Sequence, residues 1–117
     1  MRYITKLMLC VMLLFMSACK ENNANTIYVF SQPGCGHCVN AHNYMQRYYK
    51  NYDIKEINIH QANNMNKMLS YATKFKISKN KLGTPLIVMG DKYILGWGEE
   101  QTKAFNRNIK KYRPITQ

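Results

Sequence analysis

Hydrophobic and polar positions along this chain switch between two periods, and the switch points predict the elements. Thr26 to Phe30 (TIYVF) is β-branched and aromatic and predicts a first strand. Ser31 to Gly36 holds Pro33, Gly34 and Gly36 and predicts a loop. Cys38 to Tyr49 lacks Pro and Gly, and Val39, Tyr44, Met45 and Tyr48 can line one face of a helix there. Asp53 to Ile59 predicts a second strand with Ile57 and Ile59 on one side. Met65, Met68, Leu69, Ala72 and Phe75 recur at helical spacing, with both methionines expected in the core, and a basic loop follows from Lys76 to Gly83. After Pro85, the unbroken apolar run Leu86 to Met89 suits a buried strand. Gly90-Asp91 has glycine first, as a type II′ hairpin turn requires, and Tyr93 to Leu95 returns as a fourth strand. Gly96 and Gly98 mark a loop around Trp97. Thr102, Phe105, Ile109 and Tyr112 then form the stripe of a last helix that ends before Pro114.

The predicted order is therefore β-α-β-α-β-β-α. A strand-helix-strand start makes the first two strands parallel through a right-handed crossover, and the late hairpin adds an antiparallel pair. The expectation is an α/β domain: a four-stranded mixed sheet flanked by helices.

The first residues follow another pattern. Arg2 and Lys6 precede the uncharged apolar run Leu7 to Phe15, and the small residues Ser17 and Ala18 stand just before Cys19. This is the layout of an export signal, its apolar run shorter than the ~20 residues needed to span a bilayer. Met16 to Cys19 (MSAC) resembles the bacterial lipoprotein box, with Met16 where leucine is usual. The resemblance implies a signal peptide over residues 1–18, lipidation at Cys19, a polar tether to Asn25 and a domain over residues 26–117. It places the domain in a bacterial envelope, lipid-anchored and facing the periplasm. Lys20 after the cysteine favours the outer membrane where there are two. An ordinary secretory peptide cleaved nearby, or an uncleaved anchor, would export the domain equally.

Composition narrows the class. The chain has 117 residues, 46% hydrophobic and 20% charged, which excludes wholesale disorder and a multi-pass membrane protein. Its net charge of +11 bears on partners and not on fold. Lys74, Lys76, Lys79 and Lys81 form one basic concentration, and Lys103, Arg107, Lys110, Lys111 and Arg113 another. Both read first as solvated faces, with attraction to anionic lipid as the second reading. No nucleic-acid motif accompanies them, so no nucleic-acid partner is expected.

Candidate chemistry concentrates at Cys35-Gly36-His37-Cys38. Loss of the signal segment removes Cys10, and lipidation occupies Cys19, leaving this pair as the free thiols. A helix N-terminus carries about +0.5 charge, which stabilises a thiolate. Cys35, nearest that end, is expected to be the exposed nucleophile, and Cys38, one turn inside, the resolving thiol. Gly36 is expected to let the backbone turn beside Cys35, and His37 to tune the pair by favouring the thiolate. Three other readings of the pair stand beside this one. Cys35, Cys38 and His42 could ligate zinc or copper in a metal-binding envelope lipoprotein, although a structural zinc site needs four ligands. An inert structural disulfide is the second. The third, c-type haem attachment, fails because Val39 stands where that signature needs histidine.

From Thr26 to about Tyr112 the chain resembles a thioredoxin-fold protein, nearest to glutaredoxin in length and layout. The segments that carry the resemblance are TIYVFSQPGCGHC and, after Gly83-Thr84-Pro85, LIVMGDKYILGWGEE. The resemblance implies a thiol-disulfide oxidoreductase using Cys35 and Cys38. It also implies a cis Pro85 facing the pair, with Gly83, Thr84 and Pro85 presenting backbone to an extended polypeptide substrate. No metal or organic cofactor is implied. The implied partners are exported protein thiols or disulfides and a membrane redox partner, with the protein a monomer. Gln32 stands where glutaredoxins carry a lysine that helps hold glutathione, and their later Gly-Gly and acidic motif is only echoed by Gly96 to Glu100, which argues against glutathione use. Val29 stands where thioredoxin has a buried acid that helps proton transfer. Cys-Gly-His-Cys instead matches protein disulfide isomerase, whose potential of about −180 mV is well above the about −270 mV of thioredoxin. Trp97 reads as a substrate contact or a packed loop side chain, and His42 and His60 as ordinary polar positions.

Overall fold

The computed structural model describes residues 25–115. Residues 1–18, Cys19 and most of the polar tether lie outside the described residues, and so does Cys10.

The elements follow the expected order. Strand β1 (Thr26–Ser31) leads into helix α1 (Gly36–Tyr48), strand β2 (Asp53–Asn58) and helix α2 (Asn64–Lys74). Strands β3 (Leu86–Met89) and β4 (Lys92–Leu95) then form the hairpin, and helix α3 (Glu99–Asn108) runs into a 3-10 turn at Ile109–Lys111. The sheet order is β2-β1-β3-β4. β1 and β2 pair in parallel, and β3 pairs antiparallel with both β1 and β4. The expected mixed sheet is thus present. Gly90 turns the hairpin with φ +67°, and Asp91 is not left-handed, as a type II′ turn requires of its two central residues.

The two central strands explain the composition of the core. Leu86, Ile87, Val88 and Met89 are all buried because β3 has a strand on each edge and packing on each face. One face of the sheet carries Ile27, Val29, Ile87, Met89 and Ile94 against Ala41 and Met45 of α1 and Phe105, Ile109 and Tyr112 from the C-terminal helix and turn. The other carries Phe30, Leu86 and Val88 against Ile59 and Met68, with Tyr71, Phe75 and Ile77 closing over them. Each large aliphatic or aromatic side chain so buried contributes roughly 1.5–3 kcal/mol. Among the described residues no helix is long and apolar enough to cross a membrane.

Two details depart from the sequence reading. Helix α1 buries Cys38, Ala41 and Met45, whereas Val39 and Tyr48 are 57% and 59% exposed. The helix starts two residues earlier than its apolar pattern indicates, and small Ala41 lets that face lie close on the sheet. Met65 is exposed and only Met68 and Ala72 of α2 are fully buried, because the helix touches the sheet along a narrow stripe. Helix α2 ends where the basic loop is expected to begin, in a Schellman motif built on a lysine. Lys76 is left-handed (φ 57°), its N–H donates to Thr73 O (3.2 Å), and the Ile77 N–H donates to Ala72 O (2.9 Å). Glycine is usual there.

Candidate functional site

Parallel pairing brings the C-terminal ends of β1 and β2 to one edge of the sheet, and antiparallel β3 brings its N-terminal end to the same edge. Three loops therefore meet there: Gln32–Cys35 after β1, Ile59–Asn63 after β2, and Gly83–Pro85 before β3.

Within the first loop Gly34 has φ +80°, a conformation that favours glycine. The turn assigned to Gly36 is thus made at Gly34. Gly36 is the first residue of α1, and a side chain there would meet nothing within 4 Å. Cys35 is the N-cap of α1, in extended conformation, and its sulfur accepts the Cys38 N–H at 3.2 Å. That bond satisfies one of the helix's free N–H groups and aims the positive end of the helix at this sulfur. Cys35 and Cys38 are joined by a disulfide, with Cα atoms 5.2 Å apart. Their environments differ as expected: Cys35 is partly exposed and Cys38 only 7% exposed.

The Thr84-Pro85 peptide is cis, and Thr84 lies against the pair. The Thr84 hydroxyl donates to Cys35 Sγ (3.4 Å), and the Thr84 carbonyl oxygen stands 3.5 Å from the same sulfur. Pro85 is buried, whereas Gly83 is exposed with open space where a side chain would lie. Thus Cys35, Cys38, Thr84 and Pro85 converge. His37 points out from the first turn of α1 as an exposed side chain.

A groove of about 260 Å³ runs along the pair, bounded by Gln32, Pro33, Cys35, Val39, His42 and Glu56. His42 is hydrogen-bonded to Glu56, one on α1 and the other on β2. Glu56 is paired in register with Val29. Among the described residues no group of three or more His, Cys, Asp or Glu side chains converges to hold a metal ion.

Two residues of the site escaped the sequence reading. Gln32 Nε2 donates to Thr84 Oγ1 (2.9 Å), and Gln32 Oε1 lies 3.1 Å from His60 Nε2. Gln32 was visible only as a departure from the glutaredoxin pattern, and nothing local to His60 indicates its place. Trp97 packs on Tyr44 and Phe105, with ring centroids 5.5 and 5.9 Å away, which favours the packed reading. The lysines and arginines of both basic concentrations are exposed, as a solvated face requires.

The pair, its helix N-terminus and the cis-proline loop form one arrangement. In it an accessible sulfur is held ready for attack beside a shielded one that can reach it. The fold is similar to that of a solved glutaredoxin from Archaeoglobus fulgidus: TM-score 0.55 at 20% sequence identity, covering 73% of this chain and 89% of that one. No protein-family model and no curated protein matches the sequence.

Proposed function

We propose that this protein is a thiol-disulfide oxidoreductase of a bacterial envelope, tethered by lipid at Cys19 and exchanging disulfides with exported proteins. The observation that carries the reading is the asymmetric Cys35–Cys38 disulfide at the start of α1, open to solvent at Cys35 and closed at Cys38.

In the reducing direction the Cys35 thiolate attacks a client disulfide. A mixed disulfide forms and one client sulfur leaves as thiolate. Cys38, deprotonated, then attacks Cys35 Sγ, closing the internal disulfide and releasing the second client thiol. The client is reduced by two electrons and the pair oxidised by two. The reverse sequence oxidises a client dithiol. A dithiol or disulfide carrier at the membrane returns the pair to its working state. The helix N-terminus and the Thr84 hydroxyl favour the Cys35 thiolate, which stabilises the reduced form and shifts the pair toward oxidising potential. Gly83, Thr84 and Pro85 present backbone to an extended client segment, and His37 adds a cationic tuning group when protonated. No metal or organic cofactor enters these steps, and the protein acts as a monomer.

The test is equilibration of the full chain, in detergent, with glutathione redox buffers, read by alkylation of free thiols. A potential near −120 to −180 mV assigns an oxidase or isomerase, and one near −270 mV a reductase. A pair that does not exchange with thiol buffers overturns the proposal. In cells, Cys35→Ser is expected to abolish exchange, and Cys38→Ser to accumulate mixed disulfides with exported proteins. Loss of fatty-acid labelling in Cys19→Ala checks the anchor.

A further inference from the structure

The hydrogen bonds at Cys35 extend beyond Thr84. The disulfide sulfur has no proton to give, so across the 3.4 Å contact the Thr84 hydroxyl is the donor. With its proton committed, Thr84 Oγ1 is free to accept, and the Gln32 amide N–H supplies that bond at 2.9 Å. The Gln32 amide oxygen then faces His60 Nε2 at 3.1 Å and requires an N–H there. All three donors point the same way, toward the sulfur of the accessible cysteine. Each comes from a different loop at the active edge of the sheet. The His60 end is itself anchored, because its backbone N–H donates to Asn58 Oδ1 (2.9 Å) and Asn64 Nδ2 donates to the Asn58 carbonyl (2.9 Å).

We propose that His60, acting through Gln32 and Thr84, is a positioning residue that holds a donor on Cys35 and thereby stabilises its thiolate. The sequence places Gln32 and His60 28 residues apart. Gln32 thus has a role of its own in this chain: it links a histidine to the nucleophile's hydroxyl donor. Aligned donors polarise one another, so the last bond, from Thr84 to sulfur, is strengthened by those behind it. The effect falls with distance along the chain, largest for Thr84 and smallest for His60. His37, His42 and Glu56 also stand at this edge or groove and are left intact by the substitutions that test the chain.

The proposal rests on the redox reading of Cys35, and its test separates the two. In the reduced full chain, with Cys38→Ser isolating Cys35, the rate of iodoacetamide alkylation against pH gives the Cys35 pKa. Relative to that background, Thr84→Val is expected to raise it by about one unit. Gln32→Ala should raise it by about half a unit, and His60→Ala by a few tenths of a unit. Gln32→Glu should raise it more than Gln32→Ala, because a carboxylate draws the Thr84 hydroxyl off the sulfur. His60→Gln keeps an N–H donor without a charge and should restore the background value. Gln32→Ala and His60→Ala profiles that overlay the background, or His60→Gln indistinguishable from His60→Ala, would overturn the donor chain while leaving disulfide exchange to stand. The ordered shifts in a protein that exchanges no disulfides would support the chain and remove the oxidoreductase reading instead.

Discussion

The two faces of the sheet are built differently. The face under α1 and α3 is aromatic and hydrogen-bonded. Tyr44, Tyr49, Trp97 and Phe105 are in ring contact, and Asn106 Oδ1 accepts from both the Tyr44 and Tyr49 hydroxyls (2.9 and 2.7 Å). The face under α2, built around Phe30, Leu86, Val88, Ile59 and Met68, is aromatic too: Tyr71 is in ring contact with Tyr28, Phe30 and Phe75, but among the described residues no side-chain hydrogen bond joins these rings. The helix that carries the cysteines thus lies on the face where direction-specific contacts set its position. The opposite helix is held by apolar and ring contacts, and among the described residues its one side-chain hydrogen bond to the sheet side is at its first residue, where Asn64 Nδ2 donates to the Asn58 carbonyl. A site that needs two sulfurs within bonding reach gains from the first kind of support, because hydrogen bonds define orientation as well as proximity.

Several substitutions would break or sharpen this contrast. Phe105 is fully buried between Trp97 and Tyr49, so Phe105→Ala should cost about 3–5 kcal/mol in urea unfolding and slow closure of the Cys35–Cys38 disulfide in what remains folded. Met68→Ala on the other face should cost roughly 2–4 kcal/mol and leave the reduction potential unchanged, a null result that the contrast requires. A shifted potential in Met68→Ala would show that the two faces are not independent. Asn106→Ala leaves two phenols without their partner, at about 1–2 kcal/mol, and should broaden the near-ultraviolet aromatic signal. Lys76→Gly works in the opposite direction. It relieves a left-handed lysine at the end of α2 and should raise stability by about 0.5–1 kcal/mol with exchange kinetics unaltered.

The smallest effect is shared by both faces. Burial pushes the phenols of Tyr49, Tyr71 and Tyr112 above their ordinary value, aided by neighbouring Tyr44 and Tyr52 at Tyr49, Tyr28 at Tyr71, and Asp91 at Tyr112. The folded state therefore keeps these protons where the unfolded chain loses them. Their contribution is complete below a pH of about 10 and is lost as pH rises through the higher folded values. A melting temperature that declines above this point, with a shallower decline in Tyr49→Phe and Tyr71→Phe, is the expected profile.

The regular elements were largely legible because β-branched runs, glycine pairs and helical spacing are local signals, and each agreed with the next. The Cys35-x-x-Cys38 pair was equally plain from residue type and short spacing, whereas the cis Thr84-Pro85 bond beside it was indicated only by the family resemblance. Two features were not legible. The buried side of α1 depends on the sheet beneath it, so Ala41 mattered and Val39 did not. The partners of Thr84 come from loops remote in sequence, and an exposed histidine or glutamine carries no periodicity.

By itself the sequence determined the order of elements, the mixed sheet and the closely spaced cysteines that form the disulfide, because backbone preference, hydrophobic pattern and residue spacing act over a few residues. Tertiary structure alone decided how the pair is surrounded. Parallel pairing of β1 with β2 and antiparallel pairing with β3 gather three loop ends at one edge, so that His60, Gln32, Thr84 and Cys35 become neighbours. Hydrogen-bond geometry between such groups depends on where distant backbone segments come to rest, and that is set only when the whole sheet has closed.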